Sequence, residues 1–486
     1  MPHESSRKRR PAATPSPAPR STRPAPTPPP APTDRARDAV HRALAHQAER
    51  YPDLDLAPLD TSGLPPRDAN FAHAIYDTVL RRWITLGYLI DGFSSRPFGT
   101  LDARVRAVLL AGAAQLLLLD KVPPHAALNE AVTWTKQFVK PEAGGMVNAV
   151  LRRIAELVYA QEKGLPDDKP RVPYTRERDQ LPLPDGDAVK LRQPVLPQPD
   201  LDRTAIATSH PTALLRRWSA AFGEAEATRL ALHGLVIPPT LLNTRSATSP
   251  VPHTQHHEQE GVAVYTGSRE DLVTLLNDRP DIWVQDASST LAVASVADLE
   301  PKLVIDACAG QGTKTRQLAR TFRSARIIAT DIDPRRLRTL RDIARLEPTV
   351  TVINPDELST YRAKADLILL DVPCSNSGVL PRRVEARYRC DQPQLDRLIK
   401  TQRQIITDAL PLLAPRGHIL YSTCSIEPEE NEQQLAWAAS LNLSTSRTHR
   451  TMPQGLPGDP PTTYRDGAFS ALLLPLPEGG GRGVGS

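Results

Sequence analysis

Two of the chain's four cysteines stand where a nucleophile could work: Cys374 in Leu369-Leu370-Asp371-Val372-Pro373-Cys374-Ser375, and Cys424 in Tyr421-Ser422-Thr423-Cys424-Ser425. Each follows an apolar run of strand length, and α/β sheets bind ligands beyond the carboxyl ends of their strands. One cysteine so placed is by default a buried structural residue. Two of them at adjacent strand ends, beside Asp371, favour covalent chemistry by a thiolate. A free thiol with a pKa near 8.5 is only about 3 % thiolate at pH 7, so a lysine or the substrate itself must assist. The other cysteines are Cys308 and Cys390, and no two of the four form a C-x-x-C pair. That spacing argues against a metal site and against a disulfide framework, and suits a reduced, cytoplasmic setting.

A second motif supplies a ligand cradle. Val304-Ile305-Asp306-Ala307-Cys308-Ala309-Gly310-Gln311-Gly312-Thr313-Lys314-Thr315 runs from a strand pattern through a glycine turn into a helix pattern. Small residues at Ala309, Gly310 and Gly312 let backbone N–H groups approach a ligand at a helix start. The order of Gly312, Thr313 and Lys314 does not make the phosphate-binding G-x-x-x-x-G-K-[ST] run. The next strand pattern ends in Ala329-Thr330-Asp331, about twenty residues on, where an acid can accept both ribose hydroxyls. A helix-capping role is the plainer alternative for Asp331. Asp356, beyond the run Val350–Ile353, is placed to hold an adenine amino group, with a surface-turn aspartate as the alternative.

These motifs need a sheet to position them. From Val264 onward, the runs Leu303–Asp306, Ile327–Asp331, Leu367–Asp371 and Ile419–Ser422 alternate with amphipathic stretches, the pattern of βα units on a mostly parallel sheet. Residues 263–476 are therefore expected to form a Rossmann-like α/β domain, and residues 205–262 a helical and mixed approach to it. Earlier, Ala39, Val40, Ala43 and Leu44, then Val105, Val108, Leu109, Gly112 and Leu116, recur at helical spacing, so residues 34–160 read as a small all-α domain. The 49 prolines among 486 residues, about twice the usual share, collect elsewhere. Residues 1–33 read as a disordered Pro/Ala/Arg-rich tail, 161–204 as an interdomain linker and 477–486 as a flexible end. The net charge of +5 suits a polyanionic partner without requiring one. No apolar run is long enough for a membrane span and no signal-peptide core is present, so a soluble protein is expected.

A thiolate, an adenosine-type ligand and an acid are what methylation of cytosine at carbon 5 would need. Carbon 5 of cytosine is a poor nucleophile towards a sulfonium methyl group. A thiolate adding to carbon 6, with a proton supplied at ring nitrogen 3, makes the base an enamine that can attack. Methyl transfer, loss of the carbon-5 proton and expulsion of the thiol complete the cycle.

The C-terminal half resembles the Sun/Fmu family of RNA cytosine-C5 methyltransferases. The likeness runs through Ser209-His210-Pro211, Trp218, Phe222-Gly223, Pro239, Asn243 and Gln285-Asp286-Ala287-Ser288-Ser289. It continues through the glycine loop, both cysteine motifs, Glu427-Pro428-Glu429-Glu430-Asn431 and Asp466-Gly467. The resemblance implies an S-adenosylmethionine-dependent methyltransferase domain with Cys424 as nucleophile and Cys374 assisting product release. It further implies Lys314 and Asp371 against the target base or the methyl donor. Cys308, Ala309, Gly310, Gln311, Gly312, Thr313, Lys314, Asp331, Asp356 and Asp371 would hold the cofactor. Pro123-Pro124-His125-Ala126-Ala127-Leu128-Asn129-Glu130 and Gly145-Met146-Val147-Asn148-Ala149-Val150-Leu151-Arg152-Arg153 resemble the NusB-type RNA-binding fold. That pairing implies small-subunit ribosomal RNA as substrate; a monomer without metal is expected. The same chemistry on tRNA, or a non-catalytic RNA-binding assembly factor, are the alternatives. Three positions depart from the family: the loop lacks the usual proline, Leu242 replaces an arginine, and Ala468 replaces a phenylalanine. None of them removes an expected catalytic group. Arg382, Arg383, Arg387 and Arg389, and Arg81, Arg82, Arg152 and Arg153, are candidate phosphate contacts.

Overall fold

The computed structural model describes residues 34–55, 58–159 and 169–476. The expected N-terminal tail, the flexible C-terminus and the first part of the expected linker lie outside the described residues.

Five helices make the first domain: α1 (Arg35–Arg50), α2 (Pro66–Asp91), α3 (Ala103–Leu117), α4 (Pro124–Phe138) and α5 (Ala143–Glu156). Local chemistry sets their starts. Asp34 and Asp102 accept hydrogen bonds from the backbone N–H groups of Arg37 and Arg104, while Pro66 and Pro124 open α2 and α4 at the position where a missing N–H costs nothing. Helix α3 is buried on every side from Ala107 to Leu117, so the other helices can wrap it. Gly112 is needed there: a Cβ at this position would meet Leu151 of α5 at 2.7 Å.

The expected linker is corrected over its second part. It carries an antiparallel sheet of β1 (Arg171–Pro173), β2 (Gln180–Pro182) and β3 (Asp187–Lys190), in the order β1-β3-β2. Leu181, Val189, Leu191 and Leu196 are buried in the same core as the five helices. Short alternation among many prolines and charges conceals the strands in the sequence; Gly186, at φ +94°, makes the tight turn between β2 and β3. Helices α6 (Asp200–Ala207), α7 (Thr212–Phe222) and α8 (Glu224–His233) follow. A second small sheet contains β4 (Thr240–Asn243), β5 (Thr254–His256), β6 (Val262–Tyr265) and β7 (Trp283–Val284), with α9 (Arg269–Asp278) between its last two strands.

After α10 (Ala287–Ala294) comes the main sheet: β8 (Leu303–Asp306), β9 (Arg326–Ala329), β10 (Val350–Val352), β11 (Ala365–Asp371), β12 (Leu413–Thr423), β13 (Leu443–Thr451) and β14 (Ala468–Pro475). Its order is β10-β9-β8-β11-β12-β14-β13, parallel up to β12 and antiparallel at the last two strands. Helices α11 (Thr313–Thr321), α12 (Pro334–Leu346), α13 (Gln392–Ala409) and α14 (Glu432–Ala438) connect the strands. The chain runs outward from β8 to β10 and then returns to the other side of β8 at β11. That reversal opens a crevice beyond the carboxyl ends of β8 and β11.

The helical domain is joined to the rest through a break in α2. Arg82 leaves helical geometry (φ −122°, ψ 20°), and the groups freed there find partners across the junction. Tyr388 donates its hydroxyl to the Leu80 carbonyl at 2.6 Å, and the Ile84 N–H donates to Ser209 Oγ at 2.9 Å. Arg387, fully buried, donates to the carbonyls of Arg81, Thr208 and Gly234, the last at 2.7 Å. Arg82 donates to the carbonyls of Pro182 and Ala207, and Arg81 to that of Pro381. Arg81, Arg82 and Arg387 are thus committed to main-chain carbonyls and are corrected from phosphate contacts to struts. Replacing Arg387 by Met leaves several buried carbonyls without donors. The expected loss is about 3 kcal/mol or more, at about 1–3 kcal/mol for each group. Urea unfolding followed by far-UV circular dichroism checks this, and an unchanged midpoint refutes the strut.

Candidate functional site

The crevice is a cleft of about 420 Å³ whose walls include Ala309, Gly310, Gln311, Thr313, Lys314, Asp371, Thr423 and Cys424, with Gln285, Asp286 and Arg383 opposite. All of these but Thr423, Gln285, Asp286 and Arg383 are expected site residues, so the structure brings most of the expected site onto one cavity. Cys374 is buried directly behind Cys424, while Cys308, Gly312, Asp331 and Asp356 do not line the cleft.

The two thiols are 3.2 Å apart, sulfur to sulfur, and both are free. They come from parallel neighbours, β11 and β12, paired in register up to Asp371 and Ser422. What holds the loops beyond those ends is a network of buried polar groups. The Glu430 carboxylate accepts from the Ser375 N–H at 2.9 Å, from Ser375 Oγ at 2.5 Å and from Gln402 Nε2 at 2.9 Å. Ser425 Oγ lies 3.1 Å from both Ser375 Oγ and Ser377 Oγ, and Thr423 Oγ1 donates to Asn431 Oδ1 at 2.7 Å. Trp218 and Arg217 both donate to Glu427 at the other end of the same motif.

Asn376 sits between the sulfurs and the main chain. Cys424 Sγ donates to its Oδ1 at 3.2 Å, and its Nδ2 donates to the Cys374 carbonyl at 3.0 Å. The hydrogen bond with Cys424, and then burial, raise the Cys374 thiol well above its ordinary range, so Cys374 is a proton carrier at neutral pH. Lys314 Nζ is 2.8 Å from Asp371 Oδ2. Burial works against the charge of Lys314, but the Asp371 carboxylate more than offsets this and holds the ammonium above its usual range. Asp306 is pushed up to about 7 by burial; Thr315 donates to one of its oxygens, and the other is buried without a partner.

The glycine loop has two kinds of glycine. A Cβ on Gly310 (φ +58°) would meet no atom within 4 Å, so its backbone faces open space as a ligand cradle requires. At Gly312 (φ +85°) a Cβ would meet Leu340 and Ile343 of α12 at 3.0 Å, so this glycine serves packing instead of ligand approach. Asp331 accepts from the N–H groups of Gly310 and Asp333, bracing the loop, while Asp333 caps α12; the capping alternative for Asp331 does not hold. Asp331 Oδ1 keeps a further lone pair for a ligand hydroxyl, while Oδ2 also accepts from Arg336 at 3.4 Å. Asp356 is exposed in the 3₁₀ segment Pro355–Tyr361. The open Gly310 backbone, an acid at the end of β9 and the orphaned Asp306 oxygen together fit an adenosine-type cofactor.

Sequence reasoning missed Asn376, Gly378 and Gln402. Asn376 has φ +59°, uncommon for a side chain, in a Ser-Asn-Ser-Gly run that signals a turn. Gln402 gives no signal: it is one polar residue in the polar helix α13, yet it is fully buried. Arg382, expected on phosphate, instead bridges Asp286 and Asp466 in the cleft wall at 3.3 and 2.7 Å, a second correction. Arg383 and Arg389 both pair with Glu385, and Arg152 and Arg153 are exposed on α5.

A glycine cradle at a sheet's switch point beside strand-end thiols defines an S-adenosylmethionine-dependent methyltransferase fold, here preceded by a helical domain. Residues 294–463 match the family model for 16S rRNA methyltransferase RsmB/F, and residues 35–156 match the NusB family. The chain thus carries an RsmB/F-type methyltransferase domain, with a NusB-type domain ahead of it. Ribosomal RNA small subunit methyltransferase B of Xanthomonas campestris is 29% identical over 448 residues, covering 85% of this chain and 91% of that one. The protein of that name from Klebsiella pneumoniae is 29% identical over 413 residues, covering 82% and 88%. The crystal structure of PH0851 has the same fold, with TM-score 0.65 and 19% identity over 92% of this chain and 99% of that chain. Among the described residues no acid, histidine or cysteine cluster could hold a metal, and no helix is long and apolar enough to cross a membrane.

The tightest constraint on the thiol loops is Gly378. A Cβ there would lie 2.7 Å from the Cys424 carbonyl and 2.8 Å from that of Gly467. Both neighbours are backbone and cannot yield alone. Gly378→Ala is expected to cost about 1–3 kcal/mol, the range for overpacking. Thermal and urea unfolding measure it; wild-type stability would show slack between these loops.

Proposed function

We propose that the protein methylates carbon 5 of a cytosine in small-subunit ribosomal RNA, through a covalent bond between Cys424 and carbon 6. The observation carrying this reading is the pair of sulfurs 3.2 Å apart at the ends of β11 and β12, of which Cys424 alone lines the cleft. The family match and the relatives' names support RNA as substrate.

In this mechanism the loop Cys308–Lys314 and Asp331 hold the cofactor, with Asp356 beyond β10 reserved for its adenine amino group. S-adenosylmethionine supplies the methyl group when bound. Cys424 adds to carbon 6 while the Lys314–Asp371 pair faces the base, the proton released by the thiol passing through Asp371 to the ring nitrogen. Lys314 is near enough to Cys424 for its charge to balance a thiolate. Cys374, kept protonated by its neighbour and by burial, is the nearest proton donor to the departing Cys424 sulfur. The target base has to leave its stack to reach the cleft, so unpaired or loosely paired RNA is favoured.

Bisulfite sequencing of RNA from cells with and without the gene tests the assignment. Loss of one 5-methylcytosine from small-subunit rRNA is expected; a change confined to tRNA overturns the substrate, and no change anywhere overturns the activity. In vitro, Cys424→Ser should lower methyl transfer by about a thousandfold or more, or ~4 kcal/mol in the barrier. Cys374→Ala should leave protein covalently bound to RNA, visible as a slower band on a denaturing gel. Undiminished turnover by the first variant, or no adduct with the second, removes the assigned role.

A further inference from the structure

The most basic element of the described chain lies away from the cysteines. Helix α12 carries Arg335, Arg336, Arg338, Arg341 and Arg345 against one acid, Asp342, in a protein whose whole net charge is +5. Arg336 reaches Asp331 and Asp333, and Arg345 pairs with Asp342. Arg335, Arg338 and Arg341 are exposed and form no ion pair among the described residues. Their i, i+3, i+6 spacing puts them on one side of the helix over about 9 Å. Ile332, just before the helix, is 88 % exposed, the most exposed large apolar side chain among the described residues.

The position of this face matters as much as its charge. Helix α12 starts at the carboxyl end of β9, on the same edge of the sheet as the cleft. In the order β9-β8-β11-β12, Cys424 is three strands away, about 14 Å at ~4.8 Å per strand. The helix is anchored underneath: Leu337 and Leu340 are buried, and Leu340 and Ile343 press on Gly312 of the cofactor loop. Three unpaired guanidinium groups on a fixed support, on a helix that starts at the same edge of the sheet as the nucleophile, complement a phosphate backbone.

We propose that Arg335, Arg338 and Arg341 form a phosphate-binding face for the RNA strand flanking the target cytosine, with Ile332 against a sugar or an unstacked base. The proposal rests on the RNA methyltransferase reading above and adds a binding surface to it. Its occupant is RNA backbone, so the face contributes affinity and placement without sequence choice.

The test uses the full-length protein, an in vitro transcript of small-subunit rRNA and the triple variant Arg335→Gln/Arg338→Gln/Arg341→Gln. Each phosphate that the protein no longer neutralises should reduce the slope of log affinity against log salt by about 0.7–0.9. The variant is therefore expected to fall by about 2 in slope and to bind at least tenfold more weakly at about 0.15 M salt. KM for RNA should rise with kcat at saturating RNA retained, and calorimetric affinity for S-adenosylhomocysteine should match the wild type, since these arginines lie outside the cradle. Equal RNA affinity and equal slope in the two proteins overturn the proposal and leave the methyltransferase reading intact. A fall in cofactor affinity that accounts for the whole decrease in RNA methylation also overturns it. A wild type with no affinity for RNA overturns both readings.

Discussion

The catalytic arrangement depends on one buried carboxylate. Glu430 lies on the loop that follows β12, but it accepts hydrogen bonds from the N–H and hydroxyl of Ser375 on the loop that follows β11. Sheet pairing brings Asp371 and Ser422 side by side and ends there. Beyond that point nothing in a parallel ladder keeps two loops together, and each is free to follow its own turn. A carboxylate taken out of water is costly unless its lone pairs are filled, and burial accordingly raises the Glu430 pKa. Ser375 and Gln402 fill them, which makes separation of the loops expensive. The sulfur-to-sulfur distance follows from that bond network more than from any attraction between the sulfurs themselves.

The same logic joins the domains. An unbroken α2 would keep the Leu80 and Arg81 carbonyls and the Ile84 N–H for itself. The break at Arg82 releases them, and Tyr388, Arg387 and Ser209 take them up from the catalytic side. Tyr388 and Arg387 sit in the segment just after the Cys374 loop, so the helical domain is fastened to the element that carries the thiol. The helical domain is thereby referenced to the cleft through main-chain contacts, which have little of the slack of long surface side chains.

Much of this is legible in the sequence because the signals are local. Strand-length runs ending in Asp371 and Ser422, the glycine turn and the helical period of residues 34–160 each need only a short window. What escapes such reading is non-local. Arginine clusters look alike whether they face solvent or carbonyls: Arg387 and Arg341 are the same residue type in similar company, yet one is fully buried and the other exposed. The strands within residues 171–190 are hidden because charged residues and prolines outnumber the few apolar side chains that reach the core. Gly312 reads as a ligand-approach residue from its place in the motif, but it is required by Leu340 and Ile343, about thirty residues downstream. The partner of a buried group is a property of the fold, and a single sequence does not name it.

The charges in the cleft carry a consequence for the order of events. In the structure Lys314 spends its charge on Asp371, at 2.8 Å, and Cys424 offers its hydrogen to the neutral Asn376 oxygen. On the proposed reading, the proton released by the Cys424 thiol passes through Asp371 to the ring nitrogen of the entering base, and while Asp371 carries it the hold on Lys314 weakens. The ammonium then has charge to share with the sulfur at the moment a thiolate is useful. A nucleophile activated by its own substrate stays quiet otherwise, which suits a thiol placed beside an electrophilic methyl donor.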